Sequence, residues 1–175
     1  MLNEKRVKEA ETNVNSYLND GFLTKTEFIL KVFNILKNNA QESLSVANFL
    51  YKNKKSSLWV IVTSYYSMFY LANALLYKIG YKVGSKMSHK VTADALIVFA
   101  RNRIKRSLIE SYENIRDEAL VSMKSEELVE YFDYERKKRG FIQYNTPETI
   151  KISKVKTSLE RAKEFMLQIS KLLED

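Results

Sequence analysis

The residues best suited to chemistry lie in one short segment near the C-terminal end, residues 133–145, with the sequence DYERKKRGFIQYN. It holds four consecutive cations, followed by the polar side chains of Gln143 and Tyr144. Arginine presents a planar fork of donors to a phosphate group, whereas lysine contacts phosphate only as a point charge. A site of this kind would bind the phosphates of RNA or of a nucleotide. Its predicted contacts are Arg136, Lys137, Lys138, Arg139, Gln143 and Tyr144.

The composition excludes several other kinds of site. The chain has no cysteine and one histidine, His89, so we expect no thiolate site, cysteine nucleophile or histidine-based metal cage. It also has no glycine-rich phosphate loop and no paired catalytic carboxylates. We therefore predict no metal and no cofactor. His89 is interpreted as a packing or capping residue at the start of a helix.

The charge permits an anionic partner. The chain carries a net charge of +8 and has a pI near 9.4. A second basic run contains Arg101, Arg103, Lys105 and Arg106. This run could contact phosphate, or it could place cations favourably at a helix C-terminus and keep the surface solvated.

The elements that position these residues are predicted to be helices. One proline and four glycines in 175 residues are too few for a strand-rich fold. Residues 56–80 are apolar almost all round, which indicates a helix buried on most sides. Their longest run free of polar residues, Leu58–Val62, is far below the roughly 18 that a membrane span needs. The segment is therefore predicted to be a core helix with no membrane contact.

Further helices are predicted on both sides of this central helix. A capping-box spacing, Thr24 to Glu27, marks the start of a helix over 24–51, and Thr146 and Pro147 mark the start of one over 147–173. Residues 81–87 are predicted to be a loop, and Ser125 is predicted to open a short helix. We predict one all-α domain over residues 1–175, an up-and-down helical bundle of five to seven helices.

Hydroxyl-bearing side chains form a stripe along the central helix. Tyr66, Tyr70 and Tyr77 share a face with Thr63 and Asn73 at helical spacing. Aromatic residues that stack on bases are usually accompanied by cations, and none is interleaved here. The stripe therefore favours a helix–helix or homodimer interface over a nucleobase platform.

The central helix also carries a family resemblance. The pattern Tyr65-Tyr66-x-Met68-Phe69, then Ala72, Ala74-Leu75-Leu76 and Gly80, resembles the central helix of the HEPN family (higher eukaryotes and prokaryotes nucleotide-binding). Arg139, Gln143 and Tyr144 resemble the second signature of that family, and the likeness covers roughly residues 40–173. It implies a small helical domain that usually forms homodimers and often partners a minimal nucleotidyltransferase.

The ribonuclease motif of that family is absent. HEPN ribonucleases use an arginine followed by four to six residues and then a histidine, which moves the proton of the 2′-hydroxyl. The permitted positions after Arg139 hold Tyr144, Asn145 and Thr146, and those before His89 hold no arginine. The resemblance thus implies an RNA- or nucleotide-binding module of a toxin–antitoxin or defence-type system.

Two alternatives stay open. The first is a metal-independent ribonuclease toxin in which Arg139 and Tyr144 are the catalytic residues. The second is a purely structural dimerisation partner of a nucleotidyltransferase. The first six residues, Met1 to Arg6, show no signal-peptide pattern, so we expect a cytoplasmic protein.

Overall fold

The fold is a helical bundle with one very small sheet. The computed structural model describes residues 2–139 and 152–174, without the side chains of residue 122 and of residues 124–139. The helices are α1 (Glu4–Asn19), α2 (Leu30–Lys52), α3 (Ser57–Lys78), α4 (Ser88–Ala100), α5 (Arg106–Arg139) and α6 (Ile152–Glu174). The strands are β1 (Leu23–Lys25) and β2 (Tyr81–Val83). The prediction of an all-α bundle of five to seven helices is confirmed.

Helix α3 is the centre of the bundle, as its sequence predicts. Ser56 caps its start by accepting a hydrogen bond from the Trp59 amide at 3.3 Å, and Gly80 follows its end with a φ of +92°. Thirteen of its 22 residues are buried, and it packs mainly against α2 and α6. By length and composition alone α3 could cross a membrane. In this fold it is the core helix, covered by its neighbours.

The start of α2 was predicted wrongly. The predicted capping box at Thr24 lies in β1, and α2 begins only at Leu30. Strand β1 pairs antiparallel with β2, with Leu23 opposite Val83, so the predicted loop after α3 also contains a strand. The strand pairing satisfies backbone N–H and C=O groups that would otherwise form the hydrogen bonds of a helix. The side chain of Leu23, in β1, is completely buried.

Helix α5 is longer than predicted. The sequence suggested that a separate helix opens at Ser125, but α5 runs without interruption from Arg106 to Arg139. The sequence of α5 contains no glycine or proline, the residues that most readily end a helix. The helix therefore continues through Ser125, although the residues there resemble a helix start. The predicted helix over 147–173 corresponds to α6, and its predicted start at Thr146 and Pro147 lies outside the described residues.

Helix α1 is fixed to the bundle by a buried carboxylate. Asp94 on α4 is completely buried and accepts hydrogen bonds from Arg6 at 2.6 Å, from Asn13 at 3.0 Å and from Tyr17 at 3.0 Å. Burial raises the pKa of Tyr17, and the Asp94 carboxylate raises it further, so this phenol remains a donor. Arg6 also pairs with Glu113 on α5 at 2.8 Å. Three helices therefore depend on this network for their relative position.

The network predicts a large loss of stability for Asp94→Asn. Removing the charge leaves the partly buried Arg6 without its main counterion, which costs about 3–5 kcal/mol in free energy of unfolding. Asp117→Asn is the control, because Asp117 also pairs with an arginine but is 64% exposed, so its loss should cost less than about 1 kcal/mol. Denaturant unfolding measures both. Equal losses would show that Asp94 does not anchor α1.

Candidate functional site

The residues predicted to contact phosphate lie at the end of α5. Arg136, Lys137, Lys138 and Arg139 are its last four residues. Their side chains are outside the described part of the chain, as are Gln143 and Tyr144 altogether. The phosphate contacts, and the catalytic role of Arg139 with Tyr144, therefore stay predictions.

The second basic run forms the corner between α4 and α5. Arg101, at the end of α4, forms an ion pair with Glu11 at 3.1 Å, and Arg106 pairs with Glu110 at 3.2 Å. Arg103 and Lys105 are exposed, and neither forms an ion pair with a carboxylate in the described part of the chain. Placement of a cation at a helix C-terminus fits Arg101, whereas a phosphate contact made by this run stays a prediction. Arg101 complements a helix C-terminus, while Arg103 and Lys105 are available to an anion.

The three tyrosines of the α3 stripe differ in how far they are buried. Tyr66 and Tyr70 are half-buried neighbours whose ring centroids are 6.0 Å apart. Tyr77 is only 3% exposed, and its ring lies 6.1 Å from that of Phe28. Tyr77 therefore has almost no surface to offer a second copy of the chain. Of the three residues predicted for a dimer interface, Tyr66 and Tyr70 keep accessible area.

The one histidine belongs to a cluster of aromatic side chains where α4 meets α3. His89 lies in the first turn of α4, directly after Ser88, the first residue of the helix. The backbone of Met87, just before Ser88, is in the left-handed region. Its Nδ1 lies 2.7 Å from the Tyr65 hydroxyl, and its ring centroid lies 4.8 Å from that of Phe69. Sequence reasoning missed this partner, although a phenol on the core stripe of a helix usually needs a polar partner.

Burial sets the protonation states in this cluster. Burial lowers the pKa of His89, and the positive charge of Arg116 on α5 lowers it further. Burial raises the pKa of Tyr65 and also that of Tyr112. The imidazole is therefore neutral at pH 7 and both phenols are protonated. The buried Tyr112 hydroxyl makes no hydrogen bond of standard geometry within the described residues, but it is near enough to the Tyr65 hydroxyl for each to affect the pKa of the other.

The cluster is better suited to joining helices than to catalysis. Two guanidinium nitrogens of Arg116 are held by Asp117, at 2.9 and 2.7 Å, so its fork is already occupied. One nitrogen of His89 is used by Tyr65, which fixes the ring against α3. Among the described residues no group of histidines or carboxylates is arranged to hold a metal ion. We conclude that His89 anchors the start of α4.

The burial of His89 at the start of α4 predicts that the free energy of unfolding depends on pH. The pKa of His89 is near 6.5 when the chain is unfolded and lower when it is folded, so the unfolded state binds the proton first as the pH falls. The contribution of neutral His89 to the free energy of unfolding is fully present above about pH 6.5. It is lost as the pH falls through the lowered pKa of the folded state.

Denaturant unfolding across this pH range measures the effect. His89 is the only histidine, so His89→Gln should flatten the profile. The same slope in the parent and the variant would contradict the anchor.

Comparison with known proteins identifies the family. The sequence model of the HEPN domain matches residues 33–172, which run from the first turn of α2 to the last turn of α6 and make up well over half of the chain. No curated protein and no solved structure matches the chain significantly. At the level of the family, the match supports a module related to RNA or nucleotides. Because the domain accounts for most of its length, this chain belongs to the HEPN family.

Proposed function

We propose that this protein is an RNA- or nucleotide-binding module of a toxin–antitoxin or defence-type system. The observation that carries the proposal is the α4–α5 corner, where Arg103 and Lys105 are exposed without a carboxylate partner among the described residues. Cations that are not neutralised within the protein attract the phosphates of a nucleic acid. Arg136, Lys137, Lys138 and Arg139, together with Gln143 and Tyr144, are the further proposed phosphate contacts.

The proposal includes partners and a compartment. A second copy of the chain packs against Tyr66 and Tyr70, whose rings lie on the accessible side of α3. A nucleotidyltransferase is the proposed protein partner, and the proposed compartment is the cytoplasm. Light scattering tests the dimer, because a monomer would have a mass of 20.5 kDa.

Arg139 separates the binding module from its alternatives. In a binding module Arg139→Ala weakens RNA affinity by about tenfold, or 1.4 kcal/mol, because the fork that grips a phosphate is lost. Arg139→Lys keeps the charge and has an intermediate effect. Lys137→Ala costs less than Arg139→Ala. Lys154→Ala, on the exposed side of α6, is the control and leaves affinity unchanged.

The same variants test the other two functions. A ribonuclease would cleave RNA without added metal, and both Arg139→Ala and Tyr144→Phe would abolish that cleavage while the fold stays intact. A structural role for Arg139 would lower the melting temperature of Arg139→Ala without a separate effect on RNA affinity. We expect weakened binding, no cleavage by the parent protein and a small change in melting temperature. Unchanged affinity in Arg139→Ala would contradict the phosphate contact.

A further inference from the structure

A groove of about 440 Å³ lies between the start of α1 and the α4–α5 corner. Its volume is within the range of about 300–1,000 Å³ that is typical of small-molecule sites. Leu2 and Val7 give it an apolar side, and Asn102 contributes an amide. Its cations are Lys8, Arg101 and Arg106, and its carboxylates are Glu4 and Glu11.

A shared carboxylate holds the two sides of the groove together. Glu110, in the second turn of α5, accepts a hydrogen bond from the Leu2 amide at 2.8 Å and pairs with Arg106 at 3.2 Å. The Leu2 hydrogen bond and Arg106 together lower the pKa of Glu110, so it stays ionised at neutral pH. Asn3 then starts α1 by accepting a hydrogen bond from the Arg6 amide at 2.9 Å. The groove is therefore formed by fixed elements.

The cations of the groove keep donors for a ligand. Arg101 uses one guanidinium nitrogen for Glu11, at 3.1 Å, and another for the Ile97 carbonyl, at 3.4 Å, and a guanidinium has five N–H donors in all. Arg106 is 59% exposed on its side chain, and Lys8 is exposed without an ion-pair partner in the described part of the chain. Glu4 lies in the first turn of α1, where it complements the helix dipole. Within the groove, Glu4, Glu11 and Glu110 balance Lys8, Arg101 and Arg106. The exposed Arg103 and Lys105 of the adjoining corner make the charge of the groove and corner together positive.

We propose that this groove binds a terminal phosphomonoester, either at the end of an RNA chain or on a mononucleotide. A phosphomonoester carries about −1.5 to −2 charges at neutral pH and three acceptor oxygens. An internal phosphodiester carries a single charge and has fewer free oxygens. Three cations around one groove therefore favour the terminal group. The sugar or base attached to it lies against Leu2 and Val7.

This inference rests on the proposed function, since it specifies which group of an RNA or nucleotide is bound. The groove is not assigned by the family match. Helix α1 precedes the matched segment, residues 33–172, and supplies one side of the groove. The site is therefore a property of this chain that depends on its N-terminal helix.

The test compares one RNA sequence with a 5′-phosphate, with a 3′-phosphate and with neither, and it adds AMP as the mononucleotide. Titration calorimetry measures their affinities for four forms of the full chain. These are the parent, Lys8→Gln, the double variant Lys8→Gln/Arg106→Gln, and the control Lys154→Gln/Lys163→Gln, which removes two exposed lysines of α6. Lys8→Gln alone breaks no contact within the described structure, so this single variant still tests the groove if the double variant does not fold.

We expect the parent to bind at least one phosphorylated RNA about tenfold more tightly than the unphosphorylated one. Lys8→Gln should reduce this preference, the double variant should remove it, and the control should keep it. AMP binding that is lost in the double variant identifies mononucleotides as ligands. A preference for phosphorylated RNA without AMP binding identifies RNA ends.

The outcomes separate this inference from the proposed function. If the parent binds all three RNAs equally, the groove is not a terminal-phosphate site, although RNA binding stands. If the parent binds AMP through the groove but no RNA, the groove stands and RNA binding fails. A control that loses the preference as fully as the double variant would show general charge attraction, which overturns the groove. Binding of neither RNA nor AMP overturns both.

Discussion

The structure depends on the burial of most of α3. A helix with apolar side chains on most of its faces is stable in water only when other elements cover those faces, and α2, α4, α5 and α6 do so here. Polar groups on such a helix must find partners inside the protein, because an unpaired buried group costs about 1–3 kcal/mol. Tyr65 meets His89, and the Asn73 amide donates to the Thr92 hydroxyl at 3.2 Å. Both partners lie on α4, so these pairs also fix the helix that leads into the basic corner.

The apolar interior leaves most charged residues on the outside, with the buried Asp94 as an exception, and their distribution is uneven. The two basic runs lie at opposite ends of α5, since one ends at its first residue, Arg106, and the other forms its last four residues. At the first end, carboxylates of α1 and α5 hold Arg101 and Arg106 in place and leave Arg103 and Lys105 free of ion pairs among the described residues. This combination of fixed and free cations suits phosphate recognition, because the fixed ones lose little conformational entropy on binding.

Periodicity in the sequence was enough to predict the helices that pack most closely. The apolar stripes predict α2, α3 and α6 as helices, since each must bury a continuous face. They do not fix the start of α2, which begins at Leu30 rather than Thr24. The strands were missed because each has only three residues, and a capping pattern at Thr24 competed with β1. The partner of His89 comes from another helix, and the groove joins Leu2 to Arg106 across about a hundred residues, so neither can be read from local spacing. The predicted contacts of Gln143 and Tyr144 lie outside the described residues.

The central claim is that this HEPN domain binds RNA through its phosphates. The measurement that tests it most directly is the affinity of the purified protein for single-stranded RNA at a series of salt concentrations. Each neutralised phosphate contributes about −0.7 to the slope of log affinity against log salt, so four contacts predict a slope of about −3. Binding that does not change with salt, or no binding at low salt, would contradict the account and favour a structural dimerisation partner.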